Sequence, residues 1–121
     1  MNGSPEFKDE CQNLFNRYVD FYRSADAAGC SLMFEPEAEL YSPYGPPAIG
    51  RAAIAATHGE WVQEGGENKD INVLSADCDG DLGWCVARFS EGTDDSGTSV
   101  NVLARQADGS WLIKLCSLNE T

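Results

Sequence analysis

ELYSPYGPPAIGRAAIAATHGEW, from Glu39 to Trp61, holds a strand start, a rigid corner and a helix start in one short stretch. Leu40 and Tyr41 begin a strand, and Pro43, Gly45, Pro46, Pro47 and Gly50 break it into a turn. A helix follows at once, expected over Ala52 to Val62, on which Ile54, His58, Trp61 and Val62 share one face. His58, the only histidine of the chain, therefore points where the apolar residues point.

Upstream of the corner, Cys11, Leu14, Phe15, Tyr18, Tyr22 and Ala25 recur at intervals of three and four, which predicts an amphipathic helix of about 18 residues. Asp26 and Gly29 punctuate its end, and Cys30 to Phe34 forms a second short apolar segment that Glu35 and Pro36 stop. The opening MNGSPEF looks like a linker left by an expression vector, so residues 1–7 are set apart and one domain is expected over residues 8–121.

Downstream, Gly65 and Gly66 close the third helix. Four strands are expected after it, at Asp70 to Ala76, Gly83 to Ser90, Thr98 to Gln106 and Ser110 to Leu118. DCDGD, EGTDDSG and ADG separate them as turns, so the strands form consecutive hairpins of an antiparallel sheet. Helices come first and strands follow, which makes the class α+β with the helices on one face of a curved sheet.

A chain of 121 residues suits one core. Its 42% hydrophobic content is far from a disordered composition. Twenty acidic against eight basic residues give a net charge of −12, which repels phosphate backbones and anionic lipids, so neither nucleic acid nor a membrane is expected as a partner. No apolar run approaches the ~20 residues of a membrane helix. Five cysteines without a CxxC pair point to reduced thiols and a cytoplasmic setting. One histidine with scattered cysteines cannot assemble a usual metal site, and the Ser42 to Pro47 turn lacks the Gly-Lys-Ser/Thr ending of a phosphate loop. No metal or other cofactor is expected. Asp77, Asp79 and Asp81 lack the full calcium-loop pattern and read as a polar turn.

Helix, short helix, strand and Pro/Gly corner, GRAAI helix and a four-strand meander ending in ADGSWLIK resemble the nuclear transport factor two-like superfamily. Within it the chain is most similar to SnoaL-like and ketosteroid isomerase-like proteins, over about residues 8 to 118. The resemblance implies a cone-shaped α+β barrel, of the cystatin-like kind, enclosing a pocket. It places Tyr18 where the isomerases carry a first-helix tyrosine and Ser42 where their proton-abstracting aspartate stands, so that base is replaced. His58 falls at their third-helix tyrosine and could act as general base instead, and Asn101 is the nearest polar candidate for an oxyanion donor on the penultimate strand.

Around these catalytic candidates, Tyr22, Phe34, Tyr41 and Tyr44 are read as pocket or core wall, together with Trp61 and Trp84. Ser42 lies at the corner beside them. Arg88 in WCVARFS is either a solvated or dimer-facing residue or a clamp for an anionic ligand. Two functional classes follow. One is a small-molecule-binding protein for a compact apolar molecule, with cofactor-free isomerase, cyclase or hydratase chemistry as its enzymatic form. The other is a non-catalytic dimerising module that uses the open sheet face, where Val100, Val102 and Ala104 alternate. Both expect a homodimer.

Overall fold

The structure, a computed structural model, describes residues 5–64, 66–91 and 94–120, with the backbone alone described for 94–96. Its first helix, α1 (Pro5–Arg23), buries Phe7, Cys11, Leu14, Phe15, Tyr18, Val19 and Tyr22, the stripe that spacings of three and four create. The helix starts ahead of the expected Lys8. Proline is tolerated in a first turn because it has no N–H to satisfy there, and Phe7 then reaches the core, edge-on to Trp111 with ring centroids 4.7 Å apart. Ala25, expected on the buried face, lies beyond the helix. It takes φ 59°, and the Asp26 N–H closes back on the Phe21 carbonyl at 2.8 Å, so this pair ends the helix.

Asp26 also starts the next element, since its carboxylate accepts the Gly29 N–H at 2.8 Å and caps α2 (Ala27–Ser31). Gly29 is required there: a Cβ on it would overlap the Phe21 ring. The short apolar segment expected to run on to Phe34 stops at Ser31, because Phe34 already belongs to β1 (Phe34–Ser42). Pro36 sits inside that strand, where the register with its neighbour is broken between Phe34 and Glu39, so its missing N–H interrupts no ladder.

The Pro/Gly corner is more than a turn. Residues 43–44 make a tight reversal, and β2 (Gly45–Ile49) pairs back antiparallel on β1, with Leu40 opposite Ala48. The sheet order is β2-β1-β6-β5-β4-β3, which puts β2 on an edge and gives Pro46 and Pro47 a strand that can spare its donors. Gly50, at φ 89°, then opens α3 (Arg51–Gln63), and the Arg51 guanidinium anchors its start to the Phe34 carbonyl at 2.6 Å.

The remaining strands are β3 (Lys69–Asp79), β4 (Leu82–Glu91), β5 (Asp94–Arg105) and β6 (Trp111–Glu120). They form the expected antiparallel meander, and among the described residues only the β1–β6 pairing is parallel. Register shifts interrupt the β3–β4, β4–β5 and β5–β6 ladders, the irregularities that let a sheet curve. The helices cover one face of it, with α1 against β3 and α3 against α2 and β1. Ile71, Val73, Cys85, Ala87, Phe89, Leu103 and Ile113 bury on that face. Leu74, Leu82, Trp84 and Val100 stay exposed on the sheet.

Candidate functional site

The concave side of the sheet holds two connected spaces. The outer one is a vestibule of about 490 Å³, walled by Tyr22, Tyr44, Trp61, Phe89 and Leu118 and rimmed by Glu60, Glu64, Glu67 and Glu91. The inner one is a chamber of about 30 Å³ that Tyr18, Phe34, His58 and Ser99 help to line. Trp61, Lys69, Phe89 and Leu118 line both and so form the neck between them. A space of 30 Å³ has room for only about two or three waters, so a ligand of any size must keep its body in the vestibule.

His58 is brought into the chamber by the helix that begins at Arg51 and is 1% exposed. Its Nδ1 lies 2.8 Å from the Ile54 carbonyl one turn earlier, and a carbonyl can only accept, so Nδ1 carries the proton. Nε2 is then an acceptor, and the Tyr18 hydroxyl, 2.7 Å away, donates to it. The two residues stand 40 apart in sequence. Rings of Trp61, Phe34 and Tyr22 surround the imidazole at centroid distances of 4.9, 5.8 and 6.3 Å.

Burial in this aromatic shell disfavours the imidazolium and pulls the His58 pKa down from 6.5 to about 4. The Ile54 carbonyl opposes that shift, and the Lys69 charge adds to it. Burial likewise pushes the Tyr18 phenol well above its ordinary range. At neutral pH the pair is a neutral phenol donating to a neutral imidazole. A proton can enter it by one route, onto the Tyr18 oxygen while Tyr18 passes its own proton to Nε2. Charging His58 at pH 7 costs about 4 kcal/mol, a fraction of an ordinary catalytic barrier.

Asn101 is fully buried, but it lines neither space. Its amide N–H donates to the Ser99 hydroxyl at 3.0 Å, while its carbonyl oxygen has no donor within reach among the described residues. Register explains the offset: Asn101 lies opposite Cys85 and Cys116, one inward position further along β5 than the chamber-lining Ser99. Ser99, and not Asn101, is the β5 side chain nearest to the proton pair's chamber.

No family model matches this sequence, and no curated protein does. Solved structures match it at low sequence identity. A protein of unknown function with a cystatin-like fold from Nostoc punctiforme superposes with a TM-score of 0.78 at 15% identity, covering 100% of this chain and 96% of its own. A ketosteroid isomerase-like protein from Erwinia carotovora atroseptica gives 0.78 at 15%, covering 97% and 98%. An NTF2-like protein of unknown function from Pseudomonas putida gives 0.76 at 17%, covering 97% and 88%. The fold is cystatin-like and NTF2-like.

Within the NTF2-like cone the candidate residues divide. Tyr18, Phe34 and His58 line the chamber, Tyr22 and Tyr44 the vestibule, and Trp61 both. Trp84 and Arg88 are corrected as pocket residues: they lie on the outer face of β4, opposite in side-chain direction to the buried Cys85, Ala87 and Phe89. Tyr41 is also outside the pocket, exposed on β1 with its hydroxyl donating to Glu39 at 2.6 Å. Ser42 lines neither space and works in the hairpin, where its hydroxyl oxygen accepts the Tyr44 N–H at 3.3 Å.

Sequence reading missed Ser99, Phe89 and Leu118 as site residues, and with them Lys69, the one cation at the neck among the described residues. The strand was expected to begin at Asp70, but it begins one residue earlier, and Lys69 shares the inward parity of Ile71 and Val73. That alternation was the available signal.

Proposed function

We propose that the chain binds a compact, mostly apolar organic molecule in the vestibule, with one polar group of the ligand directed through the neck toward Tyr18 and His58. The observation that carries this reading is the continuity of an open, aromatic-walled cleft with a chamber whose polar pair is wholly buried. Cofactor-free proton chemistry at this site would run through the Tyr18 oxygen with His58 as the final acceptor, because Nε2 is already taken by Tyr18. Buried free thiols suit a reducing cytoplasm. Backbone amide shifts, followed while a panel of small aromatic and alicyclic molecules is added, test the binding reading. Perturbations should cluster at Tyr22, Trp61, Gly66 and Phe89. If every binding molecule instead perturbed the outer face around Trp84, or none perturbed the vestibule, the reading would be wrong.

A second copy of the chain suits the outer face of the sheet. Trp84 faces Val102, Val86 faces Val100 and Leu82 faces Ala104 in register, and Arg88 is the only charged side chain that β4 and β5 add to this face between Leu82 and Arg88 and between Thr98 and Ala104. On a protein of charge −12, the β4–β5 part of this face, bordered by Asp77 and Asp79 of β3 opposite Trp84 and Leu82, is a mostly apolar surface on which two copies can approach with little repulsion. Light scattering should report a dimer for the native chain and a monomer for Trp84→Lys. A native chain that stayed monomeric at millimolar concentration would exclude this interface.

A further inference from the structure

The Lys69 side chain enters the neck with its charge unmet. Its backbone is held by Arg23, whose Nε donates to the Lys69 carbonyl at 2.7 Å, and its Nζ rests over the Tyr22 ring at 4.7 Å and the Phe89 ring at 4.9 Å. Among the described residues no carboxylate comes within ion-pairing distance of this ammonium and no acceptor within hydrogen-bonding distance, although Glu91 is its cross-strand partner in register. The two ring faces offset part of the lost hydration. Among the described residues its three N–H donors find no protein acceptor and face the vestibule, where water or a ligand must meet them, and that arrangement favours any ligand that brings an anion. Burial lowers the Lys69 pKa, with Glu91 opposing, as expected of a cation without a close counter-charge.

We propose that Lys69 is the anchor for a single carboxylate on the ligand, so that the molecule bound in the vestibule is an apolar monocarboxylic acid. This rests on the vestibule being a ligand site. The carboxylate lies at the neck against Nζ, and the apolar body lies outward between Tyr22, Tyr44, Trp61 and Leu118. A second negative charge at the outer end would face Glu60, Glu64 and Glu67, so dianions are excluded by the same rim.

Phenylbutyrate, its uncharged amide phenylbutanamide and the dianion 4-(3-carboxypropyl)benzoate, whose second carboxylate lies at the far end of the ring, separate these terms when titrated calorimetrically against the full chain. The native protein should bind phenylbutyrate about 10-fold or more tighter than the amide, and 4-(3-carboxypropyl)benzoate more weakly than phenylbutyrate. Lys69→Met should reduce phenylbutyrate to the level of the amide while leaving the amide within about 3-fold of its native affinity, and Lys69→Arg should keep most of the preference. Glu91→Gln should tighten both carboxylates and leave the amide unchanged. Equal binding of acid and amide by the native chain, or a preference that survives Lys69→Met, overturns the role of Lys69 and leaves the vestibule as a binding site. Failure of all three compounds to bind native protein with an intact circular dichroism spectrum overturns the binding reading itself.

Discussion

Phe7→Ala lowers the unfolding free energy by about 3–5 kcal/mol, the usual cost of emptying a large aromatic site in a core. Phe7 is 2% exposed, and its ring leans on Trp111 at an interplanar angle of 66°. Gly83 on β4 has no side chain because the Phe7 ring fills the space in which a Cβ would stand. Neighbours held by a sheet ladder on one side and a helix on the other cannot collapse into the gap, so the cavity term is kept. Against a typical total stability of about 5–15 kcal/mol this is a large share, readable as a shift of the urea midpoint at unchanged slope. A loss under about 1 kcal/mol would mean that the helix begins at Lys8 and that the first turn adds nothing.

Acid should weaken the fold through His58 in a defined window. Above pH 6.5 the imidazole is neutral in the folded and the unfolded chain and makes no difference between them. As the pH falls below 6.5 the unfolded chain takes up a proton that the folded chain refuses until about pH 4, so stability is lost across that interval and the loss levels off beneath it. Its full size is about 3 kcal/mol. Carboxylates titrate near the lower end, so the informative quantity is the difference from His58→Gln, which keeps every carboxylate and lacks the imidazole. That variant should be the less stable at pH 7, because the flexible amide does not fill the aromatic shell or hold the Tyr18 and Ile54 partners as the imidazole does, and the gap should narrow by about 3 kcal/mol by pH 4. The imidazole proton resonances should titrate near 4. A midpoint at 6.5 or above would show that the aromatic shell does not exclude the charge.

Much of the scaffold could be read in advance. The α1 stripe, the start of α3 after Gly50 and the hairpin turns follow from local chemistry, and each lies within a few residues of its expected place. His58 and Tyr18 were also recognisable as inward groups, since both sit on apolar helix faces. Their bond was not. It depends on how two helices far apart in the sequence are placed by the fold, while its direction follows from the Ile54 carbonyl, which holds the Nδ1 proton and so turns the phenol's proton toward Nε2 and away from a ligand. Asn101 was misplaced for a related reason: both it and Ser99 point inward, and only the depth of the chamber along β5 separates them.

By itself the sequence determined that Trp84, Val86 and Arg88 share one face of β4, and that Cys85, Ala87 and Phe89 share the other, because the pleat alternates with period two. Both sets contain apolar residues, so alternation alone is symmetric and does not say which set is inside. The tertiary structure decided that: Phe7 of α1 claims the space over Gly83, the Gly83–Cys85–Ala87–Phe89 face turns inward, and Trp84 goes to the surface. The Pro/Gly stretch divides in the same way. Its residues required a reversal followed by a helix, but only pairing with β1, next to β6, made Gly45–Ile49 an edge strand. Lys69 reached the neck because β3 extends one residue beyond its apolar run to meet Glu91, and pairing with a distant strand is something no local pattern contains.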